Sequence, residues 1–165
     1  MPFTPLHLGI GTICKATSKH RFSFMIFGGT QVMMDIEPLL GMLLGWPTLH
    51  LFTHNLFSAI SIAIIGVLIG KPMSEFILKR LGYIHWQISW RVALISAFVG
   101  TFSHILLDAF MHFDMYPFFP ITLENPLFGL TSVPAIHLFS IASFIIAGAF
   151  CLFKHRYHLL FTQKS

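Results

Sequence analysis

GTFSHILLDAFMH, residues 100 to 112, decides how this chain is read. His104, Asp108 and His112 recur every four residues, and Gly100 opens the same stripe. On a helix this spacing stacks side chains on one face, about 6 Å of rise apart. The residues between them, Ile105, Leu106, Leu107, Ala109, Phe110 and Met111, are all apolar. An imidazole or carboxylate inside an apolar helix faces a protein interior, where it pairs with another polar group or ligates a metal. The stripe therefore reads as half of a metal site.

The composition says what surrounds it. Over 165 residues the chain is 55% hydrophobic and only 10% charged, with a mean hydropathy of +0.77. Soluble domains carry about a quarter charged residues. The 19 Phe and few acids suit a surface that faces lipid. One integral membrane domain is expected over residues 1–165. The pI near 9.3 does not point to nucleic acid, because the basic residues are few and scattered between apolar runs. Cys14 and Cys151 are too few and too isolated for a disulfide framework or a zinc knuckle, so free thiols are expected. The opening MPFTPLHLGIG has neither a basic segment nor a small-residue cleavage site, and no signal peptide is expected.

The expected architecture is an all-α polytopic membrane bundle with four transmembrane helices, a short half-inserted N-terminal helix and an interfacial helix. Thr4 and Pro5 read as an N-cap and first helical residue, opening a helix to about Cys14 with His7 in its first turn. Such a helix covers only about half of a 30 Å hydrocarbon core. The four spans are expected at about 22–45, 51–70, 92–111 and 133–153. The first holds Asp35 and Glu37, and Pro38 predicts a break or kink beside them. The second opens with His50 and His54 at i and i+4. Lys79, Arg80, Tyr83, Trp86 and Trp90 mark the 71–91 segment as interfacial. Residues 112–132, with several prolines and an Asn125-Pro126 turn signal, form a structured loop, read as a lid.

Charge orients the bundle. All 10 Lys and Arg fall in the segments 15–21, 71–91 and 154–164, which share one side of a four-span topology. The connections 46–50 and 112–132 hold none. By the positive-inside rule the basic end and the C-terminus are cytoplasmic; a bacterial inner membrane is the expected location. Asp35 then lies about 20 Å from the inner end of its span, and His54, His104 and Asp108 share the outer half of theirs. His50, His112 and His137 are also at outer ends. Unrelated core histidines have no reason to share a depth. Their convergence points to one metal site on the extracytoplasmic side.

Imidazole and carboxylate donors without cysteine suit zinc, with manganese or iron as other hard-to-borderline choices, and the inventory is large enough for two or more ions. A metal with an open position supplies a nucleophilic water at neutral pH, a neighbouring carboxylate takes the proton, and phosphoester hydrolysis is the natural reaction class. Glu37 is the candidate general base, with Asp108 the second catalytic carboxylate.

The residues also carry a resemblance. His7, Asp35-Ile36-Glu37, His50 with Thr53-His54-Asn55, and Ser103-His104 through Asp108 followed by the proline-rich loop are similar to motifs of a family of small membrane-bound metal-dependent hydrolases. That family is linked by distant similarity to zinc-dependent phospholipase C. The resemblance implies His7, Asp35, His50, His54, His104 and Asp108 as metal positions and a phospholipid as substrate. It departs from the family at Leu51-Phe52, where Arg-Gly is common, and at Glu37, where Asp is frequent. His112 joins the candidate ligands through the stripe itself.

Two other functions fit parts of the pattern. A haem-binding electron carrier would use histidines on facing helices, but carboxylates one turn away suit a hard divalent ion better. A metal transporter or sensor would need a polar path through the inner halves of the spans, where none is seen. Asp114 and Glu124 read as solvated loop charges, and His20, His85, His155 and His158 as surface residues on the basic side.

Overall fold

The computed structural model describes residues 5–162, without the side chains of Lys19 and residues 156–162. Thr4, the expected first cap, and Lys164 of the basic tail lie outside the described residues. A 3-10 turn at Pro5–His7 leads into α1 (Leu8–Ser18), and a second at Lys19–Arg21 precedes α2 (Phe24–Leu44). Then come α3 (Leu56–Arg80), α4 (Trp90–Met111) and α5 (Val133–Thr162), with no strand among the described residues. Ser23, Asn55 and Ser89 cap α2, α3 and α4 by accepting from the N–H groups of Ile26, Ser58 and Val92. Each cap satisfies one of the orphan donors of a helix start.

Three helices are long and apolar enough to cross a membrane: Leu56–Arg80, Trp90–Met111 and Val133–His155. The expected four spans are thus reduced to three. Helix α2, the expected first span, is not among them. The cause is its own polar content: Thr30, Gln31, Asp35 and Glu37 are buried along it, facing protein. It packs against α3 and α4 and brings polar groups to the centre of the bundle.

Pro38 does not break α2, which continues to Leu44 and ends at Gly45 in a left-handed conformation, φ +70°. Proline removes the N–H that would have bonded the carbonyl of Met34. The Thr53 hydroxyl approaches that carbonyl at 2.9 Å and takes the missing donor's place. The second span also differs from expectation, starting at Leu56 because residues 50–54 are held in a loop. It runs through Pro72 to Arg80, so residues 71–80 belong to α3 and no separate interfacial helix forms. Lys71 and Glu75 form an i,i+4 ion pair on that continuation, and Glu75 also accepts from the Ile88 N–H at 2.7 Å.

Small residues set the helix crossings. A Cβ on Gly100 would run into the Thr30 hydroxyl and lie 3.0 Å from the Phe27 carbonyl, so α2 and α4 cross nearly backbone to backbone. One core cluster, with Ile26, Ala63, Val67, Ala93 and Ala97, also takes in Ile88 of the 81–89 turn; a second, with Met34, Ala59, Ile105 and Ala109, takes in Met115 of the 112–132 loop. The short connections gather at the first end: Lys15 donates to the Phe22 carbonyl, Ser23 N–H to Ser96 Oγ, and His20 lies against Trp86. Helix α5 packs mainly on α1.

Candidate metal centre

Four pieces of chain deliver the site. Helix α4 presents His104 and Asp108 one turn apart on its buried face. Helix α2 brings Gln31 and Asp35, also at i and i+4. The 50–54 loop supplies His50 and His54, and the turn before α1 supplies His7. All of these residues are at most 5% exposed.

The ligating atoms of Asp35, His54, His104 and Asp108 lie within 4.8 Å of one another. His104 Nε2 is 3.0 Å from Asp108 Oδ2 and 3.3 Å from Asp35 Oδ1. His54 Nε2 is 3.2 Å from the same Asp108 oxygen and 3.2 Å from His104 Nε2.

Outer contacts settle how the two imidazoles are oriented. The Gln31 amide nitrogen donates to the Gly100 carbonyl at 2.9 Å, which turns its oxygen to His104 Nδ1 at 2.6 Å. His104 Nδ1 is therefore the donor. The single hydroxyl proton of Thr53 is claimed by the Met34 carbonyl and Glu37 Oε2, so at 2.9 Å the oxygen receives the proton of His54 Nδ1. Both Nδ1–H groups point outward. In neutral rings, both Nε2 lone pairs then point at each other and at two carboxylates. A proton on one ring or a bound cation would answer this concentration of acceptors, and the arrangement of imidazole plus outer hydrogen-bond partner is the one metal-binding histidines use.

A second group adjoins it. His50, His112 and Asp114 also bring one ligand atom each within 4.8 Å of the others. His50 Nδ1 is 3.1 Å from Asp114 Oδ1, and the His50 and His112 rings stack with centroids 4.0 Å apart. Burial pushes the His112 imidazole down to about 4, with His50 acting in the same direction, so its lone pair is available at neutral pH. Burial works against the Asp114 carboxylate, but the Leu49 N–H and His50 hold its pKa below the usual range. Asp108 links the groups. Its Oδ2 faces His54 and His104, while Oδ1 lies 3.1 Å from His7 Nε2 and 3.8 Å from His112 Nε2. His7 is 4% exposed, its Nε2 faces the Asp108 carboxylate at 3.1 Å, and its Nδ1 has no hydrogen-bond partner among the described residues. A buried imidazole with one nitrogen unpartnered is uncommon in a folded protein and fits a ligand position.

The structure brings His7, Asp35, His50, His54, His104, Asp108 and His112 together. Glu37 stands apart from both groups. Its carboxylate accepts from the N–H groups of Leu51 at 3.1 Å, Phe52 at 2.8 Å and Thr53, and from the Thr53 hydroxyl at 2.7 Å. With its oxygens held by the 51–53 backbone and the Thr53 hydroxyl, Glu37, expected as the general base, anchors the loop that carries His50 and His54. Asp114, read as a solvated charge, is a member of the second group. Gln31 and Thr53 were also missed as partners of the ligands. The signal for Gln31 was there: it precedes Asp35 by four residues in an otherwise apolar stretch. His137 belongs to neither group. The His54 and His104 Nε2 atoms, 3.2 Å apart, are closer than two axial ligands of one haem iron.

No family model, curated protein or solved structure matches the chain. The donor set itself, nitrogen and oxygen without sulfur, fits zinc, manganese or iron.

Proposed function

We propose that this chain is a membrane-embedded metal-dependent hydrolase that cleaves phosphoester bonds of a lipid or lipid-linked substrate. Asp35, His54, His104 and Asp108 would hold one divalent ion, most naturally zinc. His50, His112 and Asp114 would hold a second, with Asp108 Oδ1 and His7 between the two groups. The single observation that carries the reading is the pair of imidazoles locked by Gln31 and Thr53 with their Nε2 atoms 3.2 Å apart among carboxylates. Divalent ions there would supply Lewis acidity toward a phosphoryl oxygen and a water of pKa about 7.

The chain's own groups do the rest. Asp108 reaches both groups and fixes their separation. Glu37 and Thr53 hold the histidine loop against α2. Two apolar grooves border the ligand-bearing segments and support a lipid substrate. One, of about 490 Å³, runs past Leu51, Phe52 and Tyr116, and the other, of about 430 Å³, past Ile105, Ala109 and Pro117. The clustering of Lys and Arg at the opposite end supports placing the site toward the extracytoplasmic side, with the C-terminus in the cytoplasm. The resemblance to small membrane-bound hydrolases points to the same chemistry.

The test is hydrolysis by purified protein of a panel of phospholipids and soluble phosphoesters, before and after chelation. Activity that is lost with chelator, restored by zinc or manganese and abolished in His54→Ala and Asp108→Asn supports the reading. A metal-loaded protein that cleaves no phosphoester overturns it.

A further inference from the structure

A groove larger than the two beside the ligand-bearing segments lies elsewhere, open along one side between α1 and α5, with a volume of about 840 Å³. The two helices touch closely where a Cβ on Gly9 would come 2.8 Å from the Ser140 carbonyl. Further along they part. There α5 offers Ala147, Gly148 and Cys151 and α1 offers Ala16, all small, and a Cβ on Gly148 would meet nothing within 4 Å. Phe24 and Phe144 flank the slot. Its mouth is basic: Lys15, Lys154 and His155 line it, and among its lining residues there is no carboxylate. Lys15 is placed by its bond to the Phe22 carbonyl, and Lys154 lies over the Phe150 ring.

We propose that this groove binds an anionic phospholipid of the leaflet on the basic side, one acyl chain lying along the small-residue face of α5 and the phosphate seated among Lys15, Lys154 and His155. The match is of shape and charge together. From Phe144 to Lys154 the helix rises about 15 Å, the depth of one leaflet's hydrocarbon. The lysine stems cover apolar surface while their ammonium groups reach the headgroup level. A site of this kind ties α5, which otherwise packs mainly on α1, to the rest of the bundle. It is separate from the metal centre, none of whose residues lines it.

The experiment is titration of the full chain in neutral detergent with phosphatidylglycerol and phosphatidylcholine, read by native mass spectrometry as lipid bound per chain. Phosphatidylglycerol should be retained at least tenfold better. Lys154→Gln should weaken it about fivefold, the scale of one basic residue near an anionic headgroup. Gly148→Leu fills open space and so leaves the fold intact, and it should block phosphatidylglycerol while metal content stays unchanged. Equal retention of the two lipids, or no effect of Gly148→Leu, would overturn the proposal. So would displacement of the lipid by millimolar inorganic phosphate alone, which would make the site one for a free anion.

Discussion

Gln31 and Thr53 touch no candidate ion, yet they decide which nitrogen of His104 and His54 faces the site. Outer partners of metal-bound histidines are worth about 10- to 100-fold in affinity. Gln31→Leu, which keeps volume and removes the amide, is expected to weaken metal binding by that range while the protein stays folded. Competition against a chromogenic chelator measures it, and an unchanged affinity would mean that the Gln31 contact does not orient His104. Thr53→Ser should stay near the parent because the hydroxyl is what matters, whereas Thr53→Val should fall with Gln31→Leu. At this scale the clustering of the candidate ligands was legible and their supports were not. His104 and Asp108 announced themselves by spacing in an apolar helix. Asp114 did not, since an acid in a proline-rich loop looks the same in sequence whether it meets water or His50.

Helix α2 shows what sequence reading gained and lost at the level of elements. Its length was legible, but its role was not. A hydrophobic stretch holding Asp35 and Glu37 was read as a span interrupted at Pro38, and the structure makes it an unbroken helix with a polar face turned to α4. The continuity depends on Thr53, fifteen residues beyond the proline, a contact that local patterning does not carry. Glu37 shows the same limit. Its carboxylate holds the backbone of residues 51–53, so Glu37→Gln, which replaces an acceptor oxygen with a donor facing N–H groups, should cost about 1–3 kcal/mol. Thermal unfolding in detergent would show the loss, and hydrogen exchange would show residues 50–54 opening first. Unchanged stability with lost hydrolysis would return Glu37 to the general-base role.

Over the whole molecule, the distribution of charge was the most legible feature. The basic residues whose side chains are described collect at one end of the helices, where Lys15, His20, Ser23 and Glu75 make the contacts that join the connections. The candidate metal groups lie toward the other end, around the 50–54 and 112–114 segments. In intact cells a membrane-impermeant thiol reagent should label Leu123→Cys in a cysteine-free background and reach Tyr83→Cys only after permeabilisation. Labelling in the reverse order would invert the bundle. The proposed function requires that the site in so apolar a chain be filled by a cation. Metal content by mass spectrometry, on protein purified without chelator, tests this most directly. The parent should carry one to two zinc, manganese or iron ions per chain, and Asp108→Asn, which disturbs both groups, should lose most of them. A folded parent that carries no such metal and takes up none on addition would contradict the account.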